Sequence, residues 1–330
     1  MNRRDAVLAL LALGTAGGPL AAEAQQSKGK TARIGILVGG SIAQRGHLEQ
    51  ALLDGLRDQG FVEGKNLVIE RRYADGRRER VPEYARELAE MKLDAVVTTC
   101  TPSTRAARQA SASTPIVMAA VADPVGQRLI ASLARPGANI TGLSSQAEDI
   151  LPKMMELFSG VLPNQATVAV FTQERSDVHP RMWQQLAPIA QALKLKLVKI
   201  EVTYAADLSV AFDVALREKA NALFVLPDEP MFLSRRTRIV ELAANHRLPA
   251  FYGAREFVDD GGLMSYGESL RTAYRGAASY IGNLARGAKP ADLPVEQPTR
   301  FELVVNLKAA KALDITIPRS LLVQADHVIQ

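Results

Sequence analysis

The order of predicted elements repeats about half a chain apart, and this duplication constrains the fold more than any single residue does. One set of four β-rich runs, each followed by helix-like sequence, begins at Arg33, Asn66, Asp94 and Thr114. A second set of the same kind begins at Ala166, Lys196, Asn221 and Leu248. Strands that alternate with helices are typical of parallel sheets with crossover helices. Two sets in tandem therefore predict an α/β protein of two similar Rossmann-like lobes with a cleft between them.

The boundaries of the two lobes follow from three places where the chain is expected to cross between them. These are Ser132–Ser145, Arg255–Gly267 and Leu293–Asn306, where glycine and proline interrupt short β-like runs. We therefore expect residues 33–140 and about 263–293 to form the first lobe. Residues 141–260 and about 298–330 are expected to form the second lobe. Three crossings predict a hinge of three strands rather than a flexible linker.

The first 24 residues have the pattern of an export signal. Arg3 and Arg4 precede an apolar run that is too short to span a bilayer, and Ala22-Glu23-Ala24 fits a cleavage site. Both the general secretory route and the twin-arginine route remain open. The only cysteine, Cys100, lies beyond this segment, so we expect no disulfide and no lipid anchor at the cleavage site. The expected product is a periplasmic protein without a stable membrane anchor.

Composition and motifs argue against two other classes of protein. The net charge is only +5 and aromatic residues make up 5%, so a nucleic-acid partner is not expected. The four histidines are scattered without metal-ligand spacing, and the chain lacks a phosphate-binding loop and a nucleophile elbow. We therefore predict no metal, no cofactor and no enzymatic activity.

Candidate ligand-binding residues follow from where ligands bind in open α/β sheets. Ligands occupy the crevice beyond the carboxyl ends of the strands, where loops lead into helices. In two facing lobes, both sets of loops border the shared cleft. This rule selects polar residues that directly follow predicted strands: Ser41, Thr101, Ser103, Thr104, Asp123, Asp228 and Tyr252.

Several of these residues have a purely structural alternative. Thr101 suits a helix N-cap and Pro102 the first helical position, so this helix start favours an anion such as a carboxylate, or it is an ordinary capped helix. Asp123 either holds a ligand ammonium or caps the helix after it. Tyr252 either stacks on a ligand ring or packs inside the lobe.

Five long segments also resemble one family of proteins. They are DGLRDQGFVEGKNLVIERRYADG, STPIVMAAVADPVGQRLIASLARPGANITGLS, GGLMSYG, GAKPADLPVEQPTRFELVVNLKAAKALDITIP and SLLVQADHVI. They resemble substrate-binding proteins of an ABC importer family, in a branch with tryptophan- and tyrosine-binding members. The resemblance runs from about Arg33 to Ile329 and implies the type I periplasmic-binding-protein fold. It also implies that Thr101, Ser103 and Thr104 hold a ligand carboxylate, with Asp123 or Asp228 beside its ammonium.

The expected function is that of a monomeric periplasmic receptor, which captures an amino acid or another small carboxylate and delivers it to an ABC permease in the inner membrane. One alternative is a sensory protein that presents its ligand to a membrane receptor. A transcription regulator of the same lobed fold would need a DNA-binding module before the first strand. Only the signal and a short polar segment precede Arg33.

Overall fold

The structure, a computed structural model, describes residues 31–330 except for the side chains of residues 44 and 45. The predicted signal, residues 1–24, lies outside the described residues. The strands are β1 Ala32–Val38, β2 Leu67–Tyr73, β3 Ala95–Thr98, β4 Ile116–Ala122, β5 Ile140–Ser145, β6 Thr167–Thr172, β7 Lys196–Glu201, β8 Ala222–Val225, β9 Ala250–Tyr252, β10 Met264–Glu268, β11 Phe301–Asn306 and β12 His327–Ile329. The helices are α1 Ile42–Asp58, α2 Val81–Glu90, α3 Thr101–Ala110, α4 Leu151–Ser159, α5 His179–Ala192, α6 Leu208–Arg217, α7 Pro230–Ser234, α8 Arg236–Asn245, α9 Arg255–Asp259, α10 Leu270–Ala285, α11 Leu307–Ala312 and α12 Arg319–Gln324.

The predicted duplication is confirmed in the order of the strands. The first sheet is ordered β2-β1-β3-β4-β5, and the second is ordered β12-β11-β10-β9-β8-β6-β7. Taken from its other edge, the second sheet begins β7-β6-β8-β9-β10, which repeats the arrangement of the first five strands. All eight runs predicted as strands form β1 to β4 and β6 to β9. The α/β fold with two sheet-based lobes is therefore as expected.

The fifth strand of each sheet differs from the expected lobe boundaries. Strand β5 pairs with β4 in the first sheet, although residues from 141 onward were expected in the second lobe. Strand β10 pairs with β9 in the second sheet, although residues from 263 onward were expected in the first. The chain thus completes five strands in each lobe before it leaves. Helix α10 lies within the residues expected in the first lobe, and it does pack on the first sheet. Tyr274 and Ile281 of α10 belong to the apolar core of that sheet.

One pair of strands departs from the expected parallel arrangement. Strand β11 runs antiparallel to β10, and Phe301 at its start lies opposite Glu268 at the end of β10. The physical reason is the direction from which the chain arrives. It returns from the first lobe to the edge where β10 ends, so β11 must run back along the sheet.

Each sheet is covered by apolar side chains on both faces. Along β1, Ile34 and Ile36 belong to one cluster, whereas Leu37 belongs to the cluster on the opposite face. Along β6, Val170 and Phe171 divide between two clusters in the same way. This alternation follows from the two-residue period of a strand. Strands buried on both faces explain why the predicted runs are almost continuously apolar.

The segment that leads back to the second lobe is fixed along the edge of β5. Ser144 donates its backbone N–H to the carbonyl of Glu296 (2.8 Å), and Glu296 donates to the carbonyl of Gly142 (3.0 Å). Gly142 has φ +118°, and a Cβ there would lie 2.3 Å from the Met118 carbonyl oxygen. Only glycine fits this position, because both the dihedral angle and the close backbone contact exclude a side chain. Two of the three connections between lobes are therefore joined by backbone hydrogen bonds.

A buried histidine joins two loops of the second lobe. The Nδ1 atom of His179 accepts the backbone N–H of Gln173 (2.9 Å), and Nε2 lies 2.9 Å from the Pro227 carbonyl. The first contact requires an unprotonated Nδ1, so the second is an Nε2–H donation. Burial lowers the pKa of His179 to about 4. The neutral imidazole is thus part of the structure that positions the loop after β8.

We predict that His179 makes the stability of the protein depend on pH. Because the pKa of His179 is lower in the folded state than the usual value of about 6.5, its contribution is complete above pH 6.5 and is lost as the pH falls toward 4. The expected loss in the free energy of unfolding is about 3 kcal/mol. Urea unfolding between pH 7 and pH 4 measures it.

The matched pair of variants is His179→Gln and His327→Gln, since His327 is exposed near the C terminus. His179→Gln should flatten the pH profile between pH 6.5 and 4, and His327→Gln should leave it unchanged. An unaltered profile in His179→Gln would show that other groups cause the pH dependence.

Candidate functional site

A cavity of about 790 Å³, including its opening to solvent, lies between the two lobes. Both sheets contribute to its wall through residues at or just beyond the carboxyl ends of their strands. Thr99 follows β3 and Ser145 ends β5 in the first sheet, while Pro227 follows β8 and Glu268 ends β10 in the second. This is where open α/β sheets bind ligands.

The wall of the cavity is mainly apolar. Its aromatic and aliphatic lining consists chiefly of Ile150, Phe232, Leu233, Phe257, Leu270 and Phe301. Polar side chains among the lining residues are few, and its ionisable carboxyls are Asp228, Glu229 and Glu268. None of the described lining residues is lysine, arginine or histidine. The cavity therefore combines an apolar wall with negative charge.

Glu268 is the carboxyl whose ionisation is most affected by its surroundings. It is the last residue of β10, directly before the chain crosses to α10 in the first lobe. Burial raises the pKa of Glu268 to about 7, and the adjacent Ser145 hydroxyl opposes part of this increase. A carboxyl with such a pKa changes its charge near neutral pH.

The other two carboxyls of the cavity wall have partners within the protein. Glu229 is buried, and its Oε1 atom accepts the backbone N–H of Met231 (3.1 Å) at the start of α7. Asp228 also interacts with other residues of the protein. Asp228 has φ +61°, a left-handed conformation that aspartate tolerates in turns. Both residues shape the loop after β8.

Backbone geometry at the cavity is unusual in the first sheet. Ala120 lies in a β-bulge between Ala119 and Val121, and it has φ +67°. For an alanine this left-handed conformation costs about 1–2 kcal/mol. Ala120 also lines the cavity. Strained backbone of this kind is often found where a protein contacts its ligand.

The helix start at Thr101 differs from the sequence prediction. Cys100, not Thr101, occupies the N-cap position of α3, because its backbone is still extended (φ −169°) while Thr101 is already helical. The Ser103 hydroxyl accepts the backbone N–H of Cys100 (3.2 Å), and Thr104 Oγ1 donates to the Cys100 carbonyl (3.0 Å). Both hydroxyls therefore serve the turn itself.

Three of the predicted site residues lie at the start of α3 and not in the cavity wall. Thr101, Ser103 and Thr104 are buried, and none of them is among its lining residues. Thr99, two residues before Thr101, does line it, and its Oγ1 atom is buried without a hydrogen-bond partner among the described residues. A role for the three predicted hydroxyls in ligand binding stays a prediction.

Of the remaining predicted residues, only Asp228 lines the cavity. Tyr252 is 1% exposed and stacks on Phe257, with ring centroids 4.5 Å apart, so it packs inside the second lobe. Asp123 forms an ion pair with Arg181 (2.7 Å). Ser41 directly precedes α1 and has a partner within the protein. Their contact with a ligand remains untested.

The two lobes contact each other through charged side chains. Arg181 on α5 of the second lobe forms an ion pair with Asp123 after β4 of the first lobe (2.7 Å). It also reaches Glu148 in the connection between β5 and α4 (2.8 Å). On α3, Arg105 forms an ion pair with Asp177 of the second lobe (3.3 Å).

Glu268 and Ser145 are functional candidates that sequence reasoning missed. The signal that could have found them is the duplication itself. Ser145 ends the fifth strand of the first sheet, and Glu268 ends the fifth strand of the second. The rule that ligands bind at the carboxyl ends of strands applies to both. It was applied to the first four strands of each set only.

Within residues 31–330, no helix is both long and apolar enough to cross a bilayer. The same residues contain no group of three or more histidine, cysteine, aspartate or glutamate side chains placed to hold a metal ion.

Two solved structures are similar to this chain over nearly its whole length. A conserved domain protein from Vibrio cholerae shares 30% sequence identity with it, with a TM-score of 0.83 over 91% of this chain and 100% of that one. The ABC domain from Streptococcus pneumonia in complex with L-Trp shares 27% identity, with a TM-score of 0.82 and the same coverage.

Sequence comparison leads to the same group of proteins. A tyrosine-binding protein of Clostridioides difficile is 25% identical over 268 residues, which cover 81% of this chain and 76% of that protein. The family model of ABC transporter substrate-binding proteins matches residues 34–329. This chain therefore belongs to the family of ABC transporter substrate-binding proteins.

Proposed function

We propose that this protein is the periplasmic receptor of an ABC importer, which encloses an amino acid between its lobes and delivers it to a permease in the inner membrane. The observation that carries the proposal is the interlobe cavity, which residues from both lobes line. A ligand that contacts both lobes binds the closed form better than the open form. It therefore shifts the population toward closure.

An aromatic or large aliphatic amino acid suits this cavity best. Phe232, Phe257 and Phe301 line the cavity and provide an apolar surface for such a side chain. Two similar proteins support the same choice, since one is a tyrosine-binding protein and the other was solved with L-Trp. A sugar would instead require many hydrogen-bonding side chains in the wall, and few line this cavity.

We predict that an amino acid with a large apolar side chain raises the melting temperature of the mature protein. The protein is first unfolded and refolded to remove any bound solute, and then screened against L-tyrosine, L-tryptophan, L-phenylalanine, L-leucine, organic acids and sugars. A ligand at 100 times its dissociation constant adds about 2.7 kcal/mol of stability, which corresponds to several degrees. D-tyrosine and D-tryptophan are matched controls. A sugar as the sole stabilising compound would contradict the proposal.

We also predict that Arg181→Ala weakens ligand binding without loss of the fold. The substitution removes the ion pairs of Arg181 with Asp123 and Glu148, which stabilise the closed arrangement. Since Arg181 is 39% exposed in its side chain, the expected effect is about 1 kcal/mol, or roughly fivefold in the dissociation constant.

The matched control is Arg217→Ala, because Arg217 is exposed at the end of α6. Isothermal titration calorimetry with L-tyrosine and L-tryptophan measures both variants. Equal affinities of Arg181→Ala and Arg217→Ala would show that the Arg181 contacts do not contribute to closure.

A further inference from the structure

We propose that Glu268 is the specificity-determining residue of the cavity, which binds the ammonium group of the ligand and excludes solutes that carry only negative charge. This inference rests on the proposed function and specifies the class of solute. It favours a zwitterion or an amine and argues against simple organic acids, which the sequence left open.

The described wall of the cavity is acidic. Its described lining residues include three carboxyls and no cationic side chain. Asp228 and Glu229 have partners within the protein. Only Ser145 is identified as a polar neighbour of Glu268, and its hydroxyl also accepts the backbone N–H of Ala147 (3.1 Å). Glu268 forms no ion pair with a cationic side chain among the described residues.

The surroundings of Glu268 determine what such a carboxyl does. Glu268 is half-buried, and Phe301 lies opposite it on the neighbouring strand β11. An ionised carboxylate beside apolar groups is less favourable unless it is paired or protonated. A ligand ammonium would supply the missing partner. A solute with only a carboxylate would instead meet a like charge, unless Glu268 took up a proton.

A hydroxyl that the first lobe contributes to the cavity suits the carboxylate of a zwitterion. Thr99 follows β3 in the first lobe, is 6% exposed and lines the cavity. Its Oγ1 atom is buried without a hydrogen-bond partner among the described residues. The hydroxyl can donate to an acceptor on the ligand, and the adjacent N-terminus of α3 favours negative charge. Glu268 in the second lobe and Thr99 in the first would then bind opposite charges of one ligand.

The protonation state of Glu268 should therefore change when a ligand ammonium binds beside it. Its pKa is raised to about 7 by burial, so about half of the free protein carries a neutral Glu268 at pH 7. An ammonium stabilises the ionised form, so binding at pH 7 should release about 0.5 proton and affinity should rise from pH 6 to 8. The other titratable groups facing the cavity are Asp228, Glu229, Cys100 and Tyr274.

The test compares three related compounds on the full mature protein. L-tyrosine has both charged groups, tyramine lacks the carboxylate, and 3-(4-hydroxyphenyl)propionate lacks the ammonium. We expect the wild-type protein to bind L-tyrosine best and tyramine more weakly, and to show no binding of the propionate. Binding of the propionate as tight as that of tyramine would overturn the inference.

Glu268→Gln keeps the shape of the side chain and removes its charge. It should weaken L-tyrosine binding by roughly 30-fold or more and increase binding of the propionate relative to tyramine. Glu302→Gln is the matched control, since Glu302 is on the neighbouring strand β11 and is not a lining residue of the cavity. L-tyrosine binding that is the same in both variants would overturn the inference and leave the proposed function intact.

Calorimetry of the wild-type protein in two buffers of different ionisation enthalpy measures the protons released on binding. This measurement needs no variant, so it does not depend on whether Glu268→Gln folds. Release of about 0.5 proton per L-tyrosine at pH 7 would support the role of Glu268, and absence of release would overturn it. If tyramine binds and no amino acid does, the proposed function fails while the inference about Glu268 stands.

Discussion

The parallel pairing of five strands, repeated in two lobes, is the constraint on which the rest of the structure depends. In a parallel sheet all strands end at the same edge, so all loops from strand to helix gather there. Because the chain builds the order β2-β1-β3-β4-β5 and then its repeat β7-β6-β8-β9-β10, it forms two such edges. The cavity lies between them, and residues from both edges line it.

The connections between lobes keep these two edges facing each other. The chain leaves each sheet after its fifth strand, at Ser145 and at Glu268. The returning segment is bound to the edge of β5 through the backbone of Gly142, Ser144 and Glu296. Glu268 is therefore both part of the cavity wall and the last residue before a crossing. A ligand ammonium that binds Glu268 would therefore lie directly beside a connection between the lobes.

Much of the fold was predictable because buried parallel strands leave a strong signal in sequence. The apolar runs at β1 and β6 were recognised from their composition and from the helices that follow them. Individual side chains were less predictable. Tyr252 was considered for ligand contact, but alternation along β9 places Phe251 and Tyr252 in clusters on opposite faces, so Tyr252 packs within the lobe.

The site was predicted less well than the fold, because local capping depends on backbone angles that composition does not reveal. Thr101 and Ser103 both suit a helix start, and the structure places Cys100 at the N-cap with Ser103 accepting its N–H. Glu268 was missed for a different reason. The predicted crossing Arg255–Gly267 overlaps the run Met264–Glu268, which is the fifth strand of the second sheet.

A crystal structure of the protein with L-tyrosine or L-tryptophan would show where the ligand binds. We expect one amino acid in the interlobe cavity, in contact with both lobes, with its ammonium within hydrogen-bond distance of a Glu268 carboxylate oxygen. An amino acid bound outside this cavity, or one that contacts only one lobe while the lobes stay apart, would contradict it.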